Sequence, residues 1–504
     1  MNTSERLRVV IVGGGAAGWM TAAALAKVLQ GRYSITLVES DDIGIIGVGE
    51  ATIPMISLFN RLLGLDENEF LKQTQGTFKL GIEFVNWARL GDRYMHGFGV
   101  VGQENATVDF HQYWLKQSLA AKAKSLDHYS INNAACLKNK FLRPRLDMPN
   151  SPLSQIAYAF HFDASLYAKY LRTFSEALGV KRVEGKIIDV AMREGDGHVT
   201  ALTLASGQHI EGELFIDCSG FSALLTEGAL KTGFEDWSQW LLCNRAIAVP
   251  CAPTEDITPY TRSTARQAGW QWRIPLQHRI GNGHVFCSHY ISEDEATAVL
   301  MGNLDGAPLA EPRTIRYVTG RRKKAWNKNV VSIGLACGFV EPLESTAIHL
   351  VQMSIAHLLT MFPSAGFEEA DRDQYNRMMQ QEYEWVRDFI ILHYKATERN
   401  DSPFWNHCRE MEVPQSLTDR MELFKTHGRI YREGNELFSK MSWLQVLHGQ
   451  RVRPRGHHPL TDLRSDEEIQ QYLDEVEGVI QACVEAMPSH AQFVADNCAT
   501  MPRM

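Results

Sequence analysis

The sequence predicts an α/β fold built on a parallel sheet, and three observations near its start carry that reading. Residues 9–12 are a continuous apolar run, as expected of a strand buried on both faces. Gly13, Gly14 and Gly15 then turn the chain into the Ala- and Leu-rich residues 16–30, which have helical spacing and are followed by Gly31 as a cap. Residues 34–38 form a second apolar strand that stops at Glu39. Such a strand–helix–strand unit closes through a right-handed crossover, which makes its two strands parallel.

Asp66 and Glu69 have the spacing of a capping box and predict a helix running toward Lys79. Residues 162–178 are amphipathic with helical period. From 183 to 217 short strands alternate with turns. Residues 269–275 have strand character. Residues 330–333 form a short strand feeding the Gly-rich segment 334–339, then a helix over 346–361. From about 371 the chain is mainly helical with polar loops. No repeat, low-complexity tract or linker interrupts it, so its modules are expected to interleave rather than follow one another.

At 504 residues and 44% hydrophobic content, the chain can bury one large core or two intimate ones. A net charge of −8 offers no basic face for nucleic acid. One basic run, Arg451, Arg453 and Arg455 beside His457 and His458, is broken by Pro454, Gly456 and Pro459 and reads as a solvated loop. The nine cysteines form no CxxC pair and no zinc-type cluster, so no metal site is expected and the thiols suit a reducing compartment. The N-terminus is too polar for a signal peptide, and no apolar run reaches 18 residues. A cytoplasmic protein with no membrane partner is the expectation.

Gly13-x-Gly15-x-x-Gly18 follows a strand and opens a helix. The first glycine permits the turn, the second lets backbone approach a pyrophosphate, and the third lets helix and strand pack closely. The N–H groups from Ala16 onward, with the helix dipole, suit phosphate. Glu39 falls about 20 residues further on, where a carboxylate can accept from a ribose hydroxyl. The pattern alone fits FAD or NAD, and a tight turn without ligand is the plain alternative. Two further segments favour FAD. Asp217-Cys218-Ser219-Gly220 resembles the second strand-to-helix turn of glutathione-reductase-type flavoproteins, and Gly334-Leu335-Ala336-Cys337-Gly338 is similar to their late turn against the ribityl chain and ring. The fold class expected is therefore a glutathione-reductase-type FAD-binding fold with an interleaved substrate module and a helical C-terminal region.

Five segments narrow this further. Gly269-Trp270-Gln271-Trp272-Arg273-Ile274-Pro275 fits GWxWxIP, and Ile46-Gly47-Val48-Gly49-Glu50-Ala51-Thr52-Ile53-Pro54 contains GVGEATxP. Thr77-Phe78-Lys79-Leu80-Gly81 places a lysine among apolar residues. Glu341-Pro342-Leu343-Glu344-Ser345-Thr346-Ala347-Ile348 precedes a helix, and His96-x-Phe98-Gly99 pairs two rings. Taken alone, these read as an apolar strand, a Gly-containing loop, a surface lysine, an ordinary N-cap with Ser345 as the cap, and a packed His–Phe pair. Together, over nearly the whole chain, they resemble the flavin-dependent halogenases of the tryptophan-halogenase-like family.

That resemblance implies catalytic roles for Lys79 and Glu344. It implies FAD contacts at Gly13, Gly15, Ala16, Gly18, Glu39, Ser40, Gly49, Glu50, Ala51, Val183, Leu335 and Ile348. Halide, bromide or chloride, would bind at Ser345, Thr346 and Ala347, and the aromatic substrate at His96, Phe98 and Glu344. Many members carry Gly at the position of Ala347 and an aromatic at that of His349, so halide preference is open. The implied domains are a FAD module over 1–370, interrupted by substrate segments at about 77–180 and 235–330, and a helical covering region over 371–504.

The implied chemistry is that FADH2 and dioxygen give a C4a-hydroperoxide, halide becomes hypohalous acid, and the acid reaches the substrate inside the protein. Lys79 would hydrogen-bond it or carry the halogen as a haloamine. The second role needs a neutral amine, far below the usual ~10.4. Glu344 would assist proton removal. No second GxGxxG is visible, so a separate NAD(P)H flavin reductase is the expected partner, with a homodimer as the expected assembly. A flavin hydroxylase of the same fold and a non-catalytic FAD-binding protein are the rival readings. Residues 414–444 hold one tyrosine, Tyr431, and lack the tandem tyrosines with which tryptophan-binding members hold the amino-acid backbone, so free indole, or a larger indole-bearing molecule reaching an open site, is expected over tryptophan.

Overall fold

Val9, Val10, Ile11 and Val12 are all buried and form the strand Arg8–Val12 at the centre of a six-stranded sheet. The order is Trp326–Asn327, Val330–Ser332, Leu214–Asp217, Arg8–Val12, Ser34–Glu39 and Lys181–Glu184. Every neighbouring pair is parallel except the first. The register sets Val10 between Thr36 and Phe215, as the crossover argument requires. The computed structural model describes residues 7–41, 49–103, 107–363 and 366–500.

The chain divides into two units, 1–75 with 162–241 and 317–384, and 76–161 with 242–316 and 385–504. The first contains the parallel sheet. Helix Ala16–Leu29 packs against Ala164–Ala177, and the antiparallel sheet Ile187–Met192, Val199–Leu204 and His209–Glu211 closes an apolar cluster with Val10, Val12, Val38 and Phe215. The second unit holds a seven-stranded sheet in the order Arg313–Arg316, Arg245–Cys251, Ile280–Phe286, Gly269–Pro275, Tyr260–Arg266, Gly81–Val85 and Arg93–Gly97. It is antiparallel except where Tyr260–Arg266 meets Gly81–Val85. The helices Pro403–Glu410, Gln415–His427, Lys440–Gly449, Asp466–Glu485 and His490–Cys498 complete this unit.

Three expected boundaries move. The first helix is capped by Gln30 in the left-handed region (φ 49°), and Gly31 comes one residue later. Asp66 does cap a helix through the Glu69 N–H, but that helix is only Glu67–Thr74. Gln75 turns left-handed, and Lys79 ends the strand Thr77–Lys79 instead of a helix. Glu69 returns no bond to the cap and accepts from Gln73. The segment expected as helix from 162 begins as the strand Ala159–Asp163, whose last residue caps helix Ala164–Ala177 through the Ser165 and Leu166 N–H groups.

The signature strand Gly269–Pro275 is buried along its whole length. Trp270 and Trp272 share one face, with ring centroids 6.1 Å apart, and Trp87 lies 6.4 Å from Trp270. Trp272 lies over its cross-strand partner Gly283, where a Cβ would come within 2.0 Å of the indole. On the other face Arg273 pairs with Asp305. The motif thus builds the floor of the sheet.

Arg451 pairs with Asp92 at 2.6 Å and Arg453 donates to the His448 carbonyl at 2.9 Å, while Arg453 and Arg455 stay exposed, so the basic run is a surface loop with anchored members. All nine cysteines are free thiols. Among the described residues no helix is long and apolar enough to cross a membrane, and no group of side chains could hold a metal ion.

Candidate active site

In the first unit three turns converge. A Cβ on Gly13 (φ 111°) would come within 2.3 Å of the Cys218 carbonyl oxygen, so the turn after Leu214–Asp217 packs directly on the first glycine turn. A Cβ on Gly18 would meet the Gly13 carbonyl at 1.9 Å, the close helix–strand approach that the third glycine permits. Gly334 (φ 69°) would touch Ala17 at 2.9 Å and Val351 at 3.4 Å, which brings the late turn and helix Ala347–Thr360 to the same place. Gly15 faces open space, and it precedes a helix with no side-chain cap. A recess lined by uncapped N–H groups of Ala16 and its neighbours suits a pyrophosphate.

Glu39 ends its strand as expected, but its carboxylate is engaged by Arg182, with Arg172 3.7 Å away and the Trp19 indole N–H at 3.4 Å. The Ser40 hydroxyl is buried without a partner, as a group awaiting a ligand would be. Gly49–Ala51 is a short strand, and burial pushes the Glu50 carboxyl up to about 7. Ile46, Gly47 and Val48 lie outside the described residues. Val183 pairs with Val38 and points into the apolar cluster, which leaves its backbone as the part able to touch a cofactor. Leu335 sits in the turn Gly334–Ala336, and Ile348 is buried in the first turn of helix Ala347–Thr360. Sequence reasoning saw Asp217 only as part of a turn. It is fully buried and accepts from the Ser219, Leu225 and Thr226 N–H groups and the Ser219 hydroxyl, and so holds the second turn in shape.

Glu344 closes the short helical turn Pro342–Glu344 and is 1% exposed. Ser345 is not the cap. It adopts a left-handed conformation (φ 59°) and its N–H donates to the Pro342 carbonyl at 3.0 Å. Thr346 is the N-cap residue, and Ala347 starts the helix. The Thr346 side chain makes no cap bond, and its buried hydroxyl has no partner. The start of this helix therefore combines the positive end of the dipole with an unused donor, a fit for a small anion. His349 follows one turn later. It is buried with its pKa lowered to about 4, mainly by burial against the opposing effect of Glu382, so it is neutral.

In the second unit Lys79 is 0% exposed, which excludes a surface lysine. Its ammonium lies 5.3 Å from the centre of the Phe98 ring, a cation–π contact. Thr77, on the same strand, donates to the Pro275 carbonyl at 2.7 Å and meets His161, whose pKa is held well below its ordinary value by burial and then by the Lys79 charge. His96 and Phe98 alternate with Gly97 at the end of the edge strand Arg93–Gly97. The His96 ring lies 5.7 Å from Phe389, which stacks on Phe438 at 3.7 Å. Tyr431 is 66% exposed. Locally, the Arg432 guanidinium donates to the Glu436 carbonyl, and the Glu433 backbone N–H donates to the Glu436 carboxylate, which pairs with Arg420.

The fold and these turns define a two-nucleotide flavoprotein architecture with an anion-suited helix start in one unit and a buried lysine beside an aromatic pair in the other. The family model for tryptophan halogenase matches residues 8–466. Tryptophan 6-halogenase ThaL of Streptomyces albogriseolus is 34% identical over 95% of this chain and 96% of its own length. Tryptophan 7-halogenase RebH of Lentzea aerocolonigenes is 32% identical over 97% and 98%. Among solved structures, the flavin-dependent halogenase Xcc4156 of Xanthomonas campestris superposes with a TM-score of 0.96 at 45% identity, covering 99% of this chain and all of the other. BrvH, a flavin-dependent halogenase of Brevundimonas sp. BAL3, gives 0.94 at 45%, over 98% and 100%. The chain belongs to the tryptophan halogenase family, and it is a flavin-dependent halogenase.

Proposed function

We propose that the chain uses reduced FAD, dioxygen and bromide or chloride to halogenate a small electron-rich aromatic, with indoles as the substrate class. Lys79 carries the reading. A fully buried ammonium over an aromatic ring is costly to maintain and has no use in a hydroxylase or a passive FAD carrier. FAD would lie on the first unit, its pyrophosphate at Gly13, Gly15, Ala16 and Gly18, its ribose at Glu39 and Ser40, and its remaining parts against Gly49, Glu50, Ala51, Val183, Leu335 and Ile348. Bound and reduced, it supplies the oxygen activation that converts halide into an electrophile. A separate NAD(P)H flavin reductase in the cytoplasm provides the reduced form.

Ser345, Thr346 and Ala347 hold the halide, with the Thr346 hydroxyl as a donor. Lys79 fixes the electrophile, by hydrogen bond or as a haloamine, and its burial keeps water from competing. His96 and Phe98 hold the substrate ring, and Glu344 takes the proton that leaves the ring carbon. The second unit with its C-terminal helices serves as the substrate module.

Free indole is halogenated in preference to free tryptophan. Burying the ammonium and carboxylate of an amino acid without partners costs several kcal/mol per ion. In the stretch where tandem tyrosines would help, Tyr431 is exposed and the Arg432 guanidinium is taken by the Glu436 carbonyl. With no anchor for a tail, attack falls on C3, the most electron-rich carbon. Equimolar indole and tryptophan competing for limiting reduced flavin should give mainly 3-haloindole. A majority of tryptophan halogenated on its benzene ring would refute the substrate assignment.

A further inference from the structure

The edge strand Arg93–Gly97 ends the seven-stranded sheet, so its outer peptide groups have no strand to pair with. At Gly97 a side chain takes that place. The Gly97 N–H donates to Gln445 Oε1 at 3.1 Å, and Gln445 Nε2 donates to the Gly97 carbonyl at 3.0 Å. One primary amide thus pairs with both the N–H and the C=O of one residue, as a neighbouring antiparallel strand would. Gln445 is itself held. Asn133 Nδ2 donates to its Oε1 at 2.9 Å and to Asp127 Oδ1 at 2.9 Å. The adjacent Asn132 donates to the carbonyls of Leu80 at 3.2 Å and Ala157 at 2.6 Å, and Leu80 also accepts from the Phe98 N–H at 2.8 Å. Helix Ile131–Leu137 therefore braces both the residue after Lys79 and the residue between His96 and Phe98.

These groups are poor choices for stability alone. Gln445, Asn132 and Asn133 are all buried, and the carbonyl oxygens of both asparagines have no partner. Apolar side chains would avoid that cost. The gain is geometric: Gly97 has no side chain to lock its backbone, a Cβ there would clash with Asn133 at 1.7 Å, and the clamp fixes the dihedrals that set the two flanking rings relative to each other. We propose that Gln445 and Asn133 are positioning residues, acting through the Gly97 peptide to fix the His96–Phe98 pair and so which carbon of the aromatic substrate faces the halogenating group. The proposal rests on the reading of His96 and Phe98 as the ring-holding pair.

The test compares the full chain with Gln445→Met, Asn133→Ser and the double variant. Each receives FAD, an independent flavin reductase with NADPH, bromide and 3-methylindole, whose most reactive carbon is blocked. Wild type should give one bromo isomer in excess over the mixture formed by free hypobromous acid. Each single variant should lower that excess about tenfold, the effect of about one lost hydrogen bond, and raise KM for 3-methylindole, with FAD affinity close to wild type and a modestly lowered melting temperature. The double variant should be no worse than Gln445→Met, because both changes open one clamp. Hydrogen exchange at the Gly97 amide, read without cofactor, should accelerate in every variant. An unchanged isomer excess in both single variants, additive effects in the double variant, or a wild type that already gives the free-acid mixture would overturn the proposal. A wild type that releases no brominated product would instead overturn the halogenation reading beneath it.

Discussion

Lys79→Ala is expected to abolish halogenated product while oxygen is still consumed by the flavin-loaded protein. Lys79 ends a three-residue strand in the second unit, fully buried and over the Phe98 ring. Gly13, Gly18, Gly334 and Asp217, proposed to cradle the cofactor, belong to the first unit. On the proposed roles, the substitution removes the group that fixes the electrophile and is expected to leave flavin binding intact. Loss of one preorganised donor costs about 10²–10³-fold in rate, and escape of the electrophile into water adds to that. Lys79→Met keeps the volume without the charge and should behave the same way, which separates the ammonium from the space it fills. An oxygen electrode and product quantification on one sample read the split. Loss of oxygen consumption in parallel with product would assign Lys79 to the flavin site.

Glu344→Gln should slow halogenation by about 10²–10⁴-fold, the range for loss of a general base. The amide has the carboxylate's shape, so the turn Pro342–Glu344 and the Ser345 N–H bond to the Pro342 carbonyl should persist. FAD affinity should stay near wild type for that reason. Near-normal rates with bromide and indole would reduce Glu344 to a structural residue of that turn.

The glycine turn was legible because its constraints are local. Gly13 needs a left-handed backbone close to the Cys218 carbonyl, and Gly18 needs contact with the Gly13 carbonyl, so residue type at fixed spacing states the geometry. The burial of Lys79 was legible from its apolar neighbours, but the residue was placed at the end of a helix. A capping signal reports where a helix starts, and its stop came from Gln75 turning left-handed without a glycine to announce it. Ser345 and Thr346 both have cap chemistry, and the choice of Thr346 was made by the preceding turn, which uses the Ser345 N–H. Glu39 was found by spacing, while its pairing with Arg182, 143 residues away, was not. Gln445 gave no signal at all. A glutamine in a helix reads as surface, and its partner Gly97 lies 348 residues earlier.

Given reduced flavin and a halide, this chain is expected to place halogen on an indole. The most direct measurement supplies the purified chain with FAD, an unrelated NADPH-dependent flavin reductase, sodium bromide and indole in air, and reads the products by mass spectrometry. Bromoindole, marked by the paired isotope masses of bromine and absent without the chain, is the predicted result. Hydroxyindole in its place, or unchanged indole while NADPH is consumed, would rule out halogenation of indole by this chain.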